Sequence, residues 1–416
     1  MTVMTLLRFM SDAVREMFRG PQRYWGWLGL LAVIVAIGAT QYASQLQDGL
    51  VVTGMSDQVS WGFYIANFAF LVGIAAAAVL LVIPAYLFDR KDVKEVVLIG
   101  EGMAVAAVVM AMAFVTVDLG RPDRLWHLLP GIGEFNWPLS LLAWDIVVLT
   151  GYLVLNLAIP FYVLFSKYRG KEPNFRAYFP FVVLAMFWAI SIHTVTAFLF
   201  SANPARPFWH TALLGPRFIA SAFASGPALI ILTLQAVRKF TDHPVSQSVI
   251  DLLALIMTFA LQISLFFVGA ELFTDFYNEG AHAASMHYLF LGIGDFGALR
   301  PWIWSALAMN LIAVTILMIN PLRRHVTTLN IACVLAFIGI WIEKGMGLVI
   351  PGFIPTPLGE IFEYTPTVPE LLITAGVWAL GLLVFTLITK AVIAIQSGKI
   401  SLHKQPGAAQ VSDFIR

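Results

Sequence analysis

The chain has 416 residues, of which 59% are hydrophobic and only 12% charged, and its formal net charge is +1. Soluble domains carry about 25% charged residues, so this balance excludes a soluble globular protein, and the near-neutral charge gives no reason to expect nucleic acid as a partner. A single cysteine, Cys333, excludes a disulfide framework and any cysteine-ligated iron–sulfur cluster within the chain.

In chain order, residues 2–19 interleave Leu6, Leu7, Phe9, Met10, Val14, Met17 and Phe18 with Arg8, Arg15 and Arg19. That pattern predicts an amphipathic helix on the membrane surface, with no signal-peptide cleavage site. A bilayer core takes about 20 apolar residues per helix. Ten spans are expected, near 24–44, 60–88, 94–118, 137–166, 178–200, 217–237, 247–277, 301–320, 326–349 and 369–395. The fold class is therefore an all-α integral membrane protein.

Loop charge sets the expected orientation. Nineteen Lys and Arg residues fall on the side of the two termini, Lys404 and Arg416 among them. Five fall on the other side, Arg121, Arg124, Arg206, Arg217 and Arg300, and Lys344 lies within a span. The positive-inside rule then places both termini in the cytoplasm of a bacterial inner membrane.

Spans two and six look alike. "FYIANFAFLVG" (63–73) and "RFIASAFASG" (217–226) each carry an Ile-Ala-(Asn/Ser) step followed by a Gly. Spans three and seven both end near an acid, Asp118 and Asp275. This suggests two four-helix bundles in parallel orientation, spans two to five and six to nine, flanked by spans one and ten. The expected segments are 1–23 (surface helix), 24–59 (first flanking span and outer loop), 60–200 (first bundle), 201–349 (second bundle) and 350–416 (last span and tail).

Ionisable groups inside a membrane each carry a cost of about 2.5–3.5 kcal/mol on insertion scales and mark candidate sites. Glu101 lies toward the cytoplasmic end of span three. Asp145 is expected about two turns into span four, and His193 lies in the outer half of span five, neither with a local partner. In the second bundle, Glu343 or Glu271 is expected to pair with Lys344. A haem between helices takes two His ligands from spans. Only His193 lies clearly within one, whereas His127, His210, His282 and His287 fall in outer loops. No Walker motif, Rossmann fingerprint or Cys–His metal spacing is present. Haem, iron–sulfur cluster and flavin are thus not expected in this chain, nor is a metal.

The segment "DLGRPDRLWHLLP" (118–130) packs two Asp, two Arg and a His into the outer end of span three, and "FNWPLSLLAWD" (135–145) follows it. Together they resemble the signature of the NrfD/PsrC family of polytopic, quinone-interacting membrane subunits of respiratory oxidoreductases. Within the family, ten spans at this length are most like the membrane subunit of a menaquinone reductase complex. The resemblance implies a menaquinone pocket in the outer half of the first bundle, beneath a periplasmic iron–sulfur subunit. Further periplasmic molybdopterin-like and multihaem cytochrome c subunits are implied as partners.

Quinone reduction takes up two electrons and two protons. Arg121 and Arg124 can supply fixed positive charge and pair with Asp118 and Asp123. His127 suits a proton donor near neutral pH. By resemblance, His127 and Asp145 match positions implicated in the quinol site, and Asn67 matches a quinone-contacting position. Leu71 stands where the family has a quinone-contacting His. Asp118 and Arg121 complete the catalytic candidates. Tyr64, Asn67, Arg124, Trp126 and Trp137 are the quinone-contact candidates, and Glu101, Asp145 and His193 the candidate proton path from the cytoplasm. A quinol-oxidising subunit of a related complex, a secondary transporter and a purely structural anchor, docking partners through the loop 277–301, are the alternatives.

Overall fold

The structure, a computed structural model, describes residues 3–129, 131–278, 280 and 283–402. Pro130, His282, Lys404 and Arg416, named above, lie outside the described residues, as do Thr2 and parts of the 277–301 loop.

Among the described residues, ten helices are long and apolar enough to cross a membrane: Gln22–Asp48, Phe63–Tyr86, Val97–Asp118, Leu141–Tyr168, Phe175–Ser201, Leu214–Phe240, Gln247–Tyr277, Arg300–Met318, Val326–Phe353 and Val368–Gln396. They are numbered here as spans one to ten. Ten crossings return the chain to the side it left, so the described ends, Val3 and Leu402, share one face, the terminal face; the opposite side is the far face. Backbone groups in hydrocarbon must be satisfied internally, which is why the spans are helical almost end to end.

Spans two and three are the most enclosed, and spans one, eight and ten are largely exposed along their length. Span two packs against spans three and six, span four against five, span six against seven and nine, and span eight against nine. Spans one and ten pack on each other, and span ten also lies along span three. Spans two and six, which share a sequence pattern, meet closely: a β-carbon on Gly226 would lie 1.9 Å from Ala77 Cβ. Only a residue without a side chain permits that approach.

Span boundaries differ from the sequence expectation by a few residues, with two consequences. Span four begins at Leu141, not near 137, because Trp137 precedes Pro138 and is held out of helical geometry. Ser140 caps it, its Oγ accepting from Ala143 N. Asp145 therefore lies one turn into span four, about 6 Å along the axis, rather than two. Span six begins at Leu214, so Arg217 lies inside it and not in an outer loop.

The expected surface helix forms at Val3–Met17. Phe9 packs edge-on against Phe161, Phe165 and Tyr168 of span four. Tyr168 donates to Asp12 at 2.7 Å, and Lys399 reaches Glu16 at 2.5 Å. The helix is thus bound to the terminal-face ends of spans four and ten.

At the far face, buried Glu370 gathers three segments. It accepts from Gly54 N at 2.7 Å, Thr367 N at 2.8 Å and the Tyr364 hydroxyl at 2.6 Å, while Tyr364 itself accepts from Phe63 N at 2.8 Å. The starts of spans two and ten are fixed together by this one carboxylate.

Candidate functional site

Asp145 is 4% exposed, and its Oδ1 lies 2.7 Å from the Thr196 hydroxyl of span five. The same hydroxyl lies 2.8 Å from Ile192 O. A hydroxyl has one proton and cannot donate to both acceptors at once. When Asp145 is ionised, Thr196 donates to it. When Asp145 is protonated, its O–H donates to Thr196, which then donates to Ile192 O. The rotor matches either protonation state, so the carboxyl can gain and lose a proton without orphaning a buried group.

One turn from Thr196 on span five is His193, 1% exposed. Its Nε2 lies 3.4 Å from Lys344 Nζ of span nine, and its Nδ1 has no hydrogen-bond partner among the described residues. Asp145 and His193 each have a partner, and neither partner is local in sequence. Those partners come from other spans, which local sequence does not display.

The expected pairing of Lys344 with Glu343 or Glu271 is not formed. Both acids are taken by Arg217: its Nη1 contacts Glu271, and its Nε and Nη2 reach Glu343 at 3.2 and 2.5 Å. A guanidinium presents a fork of donors suited to two carboxylates, where an ammonium is a single point charge. Lys344 instead lies over the Phe218 ring, 4.2 Å from its centroid, with Phe218 O at 3.5 Å.

Glu101 is 3% exposed, and its Oε2 has no hydrogen-bond partner among the described residues. Beside it is a void of about 10 Å³, lined also by Tyr152, Asn156 and Met186. That is about the room one water occupies. A separate cavity of about 560 Å³ lies toward the terminal face between Tyr86, Lys94, Val97, Leu98, Lys167, Glu172 and Tyr178. Its lining ends at Leu98, one helical turn from Glu101.

Asn67 is fully buried and engaged on three sides. Its Oδ1 accepts from the indole N–H of Trp341 at 3.0 Å and of Trp378 at 2.9 Å, and its amide donates to Phe63 O at 2.8 Å. Tyr64 donates to Gln45 Oε1 at 2.8 Å, and Gln45 in turn donates to Val117 O at 2.6 Å. These two side chains tie spans one, two, three, nine and ten together.

The 118–129 segment is a solvent-facing 3₁₀ turn over Pro122–Leu128. Arg121 pairs with Asp123 at 2.8 Å, and the two side chains are 68% and 58% exposed. Arg121 hydrogen-bonds only neighbouring Asp123, whereas Asp118 Oδ1 is buried without a partner among the described residues. Of the expected pairings, Arg121–Asp123 forms, and Asp118 has no ion pair among the described residues. The Arg121–Asp123 pair holds the Asp123 carboxyl below its usual value. Arg124 is exposed. His127 stacks on Trp126, centroids 3.9 Å apart, and its Nδ1 accepts from Glu134 N at 3.4 Å. Trp137 packs on Trp144 at 4.1 Å. The described contacts of His127 lie within its own loop, and those of Asp145 lie below it, on span five.

Sequence reasoning missed Thr196, Arg217 as a membrane-interior cation, and the tryptophans on Asn67. Thr196 was within reach, since it lies three residues from His193 and shares its helix face. The others depend on inter-span packing.

The sequence profile of the family described as Polysulphide reductase, NrfD matches residues 51–355. A Halobacterium salinarum protein named as a dimethyl sulfoxide reductase membrane subunit is 27% identical over 401 residues, 86% of this chain and 89% of its own. The Hdr-like menaquinol oxidoreductase integral membrane subunit of Archaeoglobus fulgidus is 27% identical over 380 residues, 87% and 91% of the two chains. A selenate reductase subunit of Mesobacillus selenatarsenatis is 22% identical over 424 residues, covering 91% and 96%.

Proposed function

From its membership of the NrfD family, to which this chain belongs, we propose that the protein is the quinone-reactive membrane subunit of a multi-subunit oxidoreductase. It binds menaquinone near the periplasmic face and supplies protons as electrons arrive from a periplasmic iron–sulfur partner. The observation that carries this reading is Asp145, a buried carboxyl near the far face whose Thr196 partner accommodates both protonation states. A group that exchanges protons inside the membrane suits a substrate that takes up protons as it is reduced. Relatives named as reductase and menaquinol oxidoreductase membrane subunits support the complex and the quinone.

In this reading the far face is periplasmic and both termini are cytoplasmic, as the loop charges suggest. His127, with Arg121 and Arg124 beside it, serves the quinone head from the loop above. Trp126 and Trp137 offer exposed aromatic surface to the ring or to the partner subunit. Asp118 lies at the same level. Asn67 and Tyr64 act by holding the pocket walls, since their polar atoms are occupied within the chain. Glu101, above the terminal-face cavity, takes protons from the cytoplasm and passes them toward Asp145. Protons drawn from that side would make the reaction electrogenic, each charge moved being worth about 2.3 kcal/mol per 100 mV. Molybdopterin-like and multihaem cytochrome c subunits complete the periplasmic assembly, with menaquinone reductase as the type of complex.

The test is titration of a menaquinone analogue by fluorescence quenching, on the complex purified through a tag on this chain. Saturable binding that weakens in Asp145→Asn, with partners still attached, supports the reading. Absence of binding to the wild-type complex refutes it.

A further inference from the structure

Lys344 is 4% exposed in the interior of span nine, and no carboxylate among the described residues hydrogen-bonds it. The nearby acids Glu271 and Glu343 both take their hydrogen bonds from Arg217 of span six, one cation against two carboxylates. Span two contributes no charge at this point: a β-carbon on Gly73 would lie 3.2 Å from Lys344 Nζ, so the absence of a side chain there makes room for the ammonium. Span eight buries Ile303, Ala306, Asn310, Ala313, Val314 and Leu317, none of them titratable. The remaining titratable neighbour is His193 of span five, whose Nε2 faces Nζ while its Nδ1 is buried without a partner. A buried ammonium over an aromatic ring, with an imidazole nitrogen for its acceptor, is placed to give up a proton rather than to hold an ion pair.

We infer that Lys344 and His193 share one exchangeable proton where span nine meets span five, and that Lys344 is a further proton-handling residue of the reaction proposed above. In the exchange, an N–H bond on Lys344 Nζ breaks and one forms on His193 Nε2. A neutral amine and an imidazolium replace an ammonium and a neutral imidazole, and total charge is unchanged. The imidazolium then carries N–H on both nitrogens. Its Nδ1 proton is not held by any acceptor among the described residues and is free to leave; Thr196, which contacts Asp145 of span four, lies one turn along span five. The inference rests on the quinone reading for its role in turnover, but not for the proton exchange itself.

Two measurements test it on the intact complex. The first is turnover with a menaquinone analogue in Lys344→Met, Lys344→Arg, His193→Gln and the Lys344→Met/His193→Gln double variant. Arg keeps the charge but does not release its proton. Both Lys344 variants are expected to lose at least about tenfold in kcat with KM little changed. The double variant is expected to be no worse than His193→Gln, as for residues that act as a unit. Turnover within twofold of wild type in Lys344→Arg, or losses that multiply in the double variant, would overturn the inference. The second measurement is the imidazole ¹⁵N spectrum of resting, histidine-labelled complex, which needs no quinone. A His193 Nε2 signal exchange-broadened in wild type and sharpened in Lys344→Met supports the shared proton. Identical spectra overturn it even if the wild-type complex turns over quinone. Exchange broadening without any quinone turnover would sink the quinone reading alone.

Discussion

Arg217→Met removes the one cation between two membrane-buried carboxylates. The guanidinium, Glu271 and Glu343 side chains are 12%, 11% and 7% exposed, so water does not replace the lost partner. Breaking a buried pair from one side typically costs about 3–5 kcal/mol, because the group left behind is desolvated and uncompensated. Here two acids are left, facing each other, so the upper part of that range is expected. At about 1.4 kcal/mol per tenfold, the folded-to-unfolded ratio falls by a factor of several hundred to several thousand. Unfolding in mixed micelles titrated with a denaturing detergent measures this directly. The triple variant Arg217→Met/Glu271→Gln/Glu343→Gln is expected to recover most of the loss, since uncharged residues no longer need the guanidinium. Arg217→Lys is expected to fall between, because a single ammonium cannot span both acids as the fork does. A loss below about 1 kcal/mol in Arg217→Met, or a triple variant no better than the single, would refute the electrostatic account of this site.

Thr196→Val keeps shape but deletes the only described partner of Asp145; leaving a buried acceptor unmade costs about 1–3 kcal/mol, and proton-coupled turnover should fall further than detergent stability does. Gly226→Ala forces a methyl to within 1.9 Å of Ala77 Cβ, so spans two and six must separate; reduced assembly and a loss of about 1–3 kcal/mol are expected in the same unfolding assay. Asp92, on the terminal-face loop, is held down to about 2 by its hydrogen bond to Arg90, and it accepts from Ser248 at the start of span seven. Its folded value is depressed, so the tether is fully present above the ordinary Asp value of about 3.9 and is lost as pH falls toward 2. Amide hydrogen exchange at residues 246–250 should show that loss in wild type and a flat response in Asp92→Asn.

The number of spans and their approximate limits were legible because a membrane helix is written locally, as about 20 apolar residues. The expected start of span four near 137 overlooks Pro138, which keeps the preceding residue from helical geometry. The chemistry was legible only in part. Asp145, His193 and Glu101 stand out as ionisable groups in apolar runs, and burial bears out that they lie inside the protein. Their partners were not legible, because Thr196, Lys344 and Arg217 approach from other spans. Lys344 beside Glu343 in sequence suggested an ion pair, yet adjacent helical residues point about 100° apart and do not face each other. That geometry leaves Glu343 to Arg217 and Lys344 to His193.

The same geometry separates the two parts of the chain by charge. Among spans six to nine, the acids Glu271 and Glu343 both pair with a guanidinium, which does not release its own proton. Among spans two to five, Glu101 and Asp145 have no cation within ion-pair distance among the described residues; one contacts a hydroxyl and the other adjoins a water-sized void. An acid locked to an arginine holds a fold together, whereas an acid held by a rotor or by water can change its proton. The sequence similarity of spans two and six therefore does not extend to chemistry. Lys344, reaching across from span nine to His193, is where the arginine-paired part touches spans two to five.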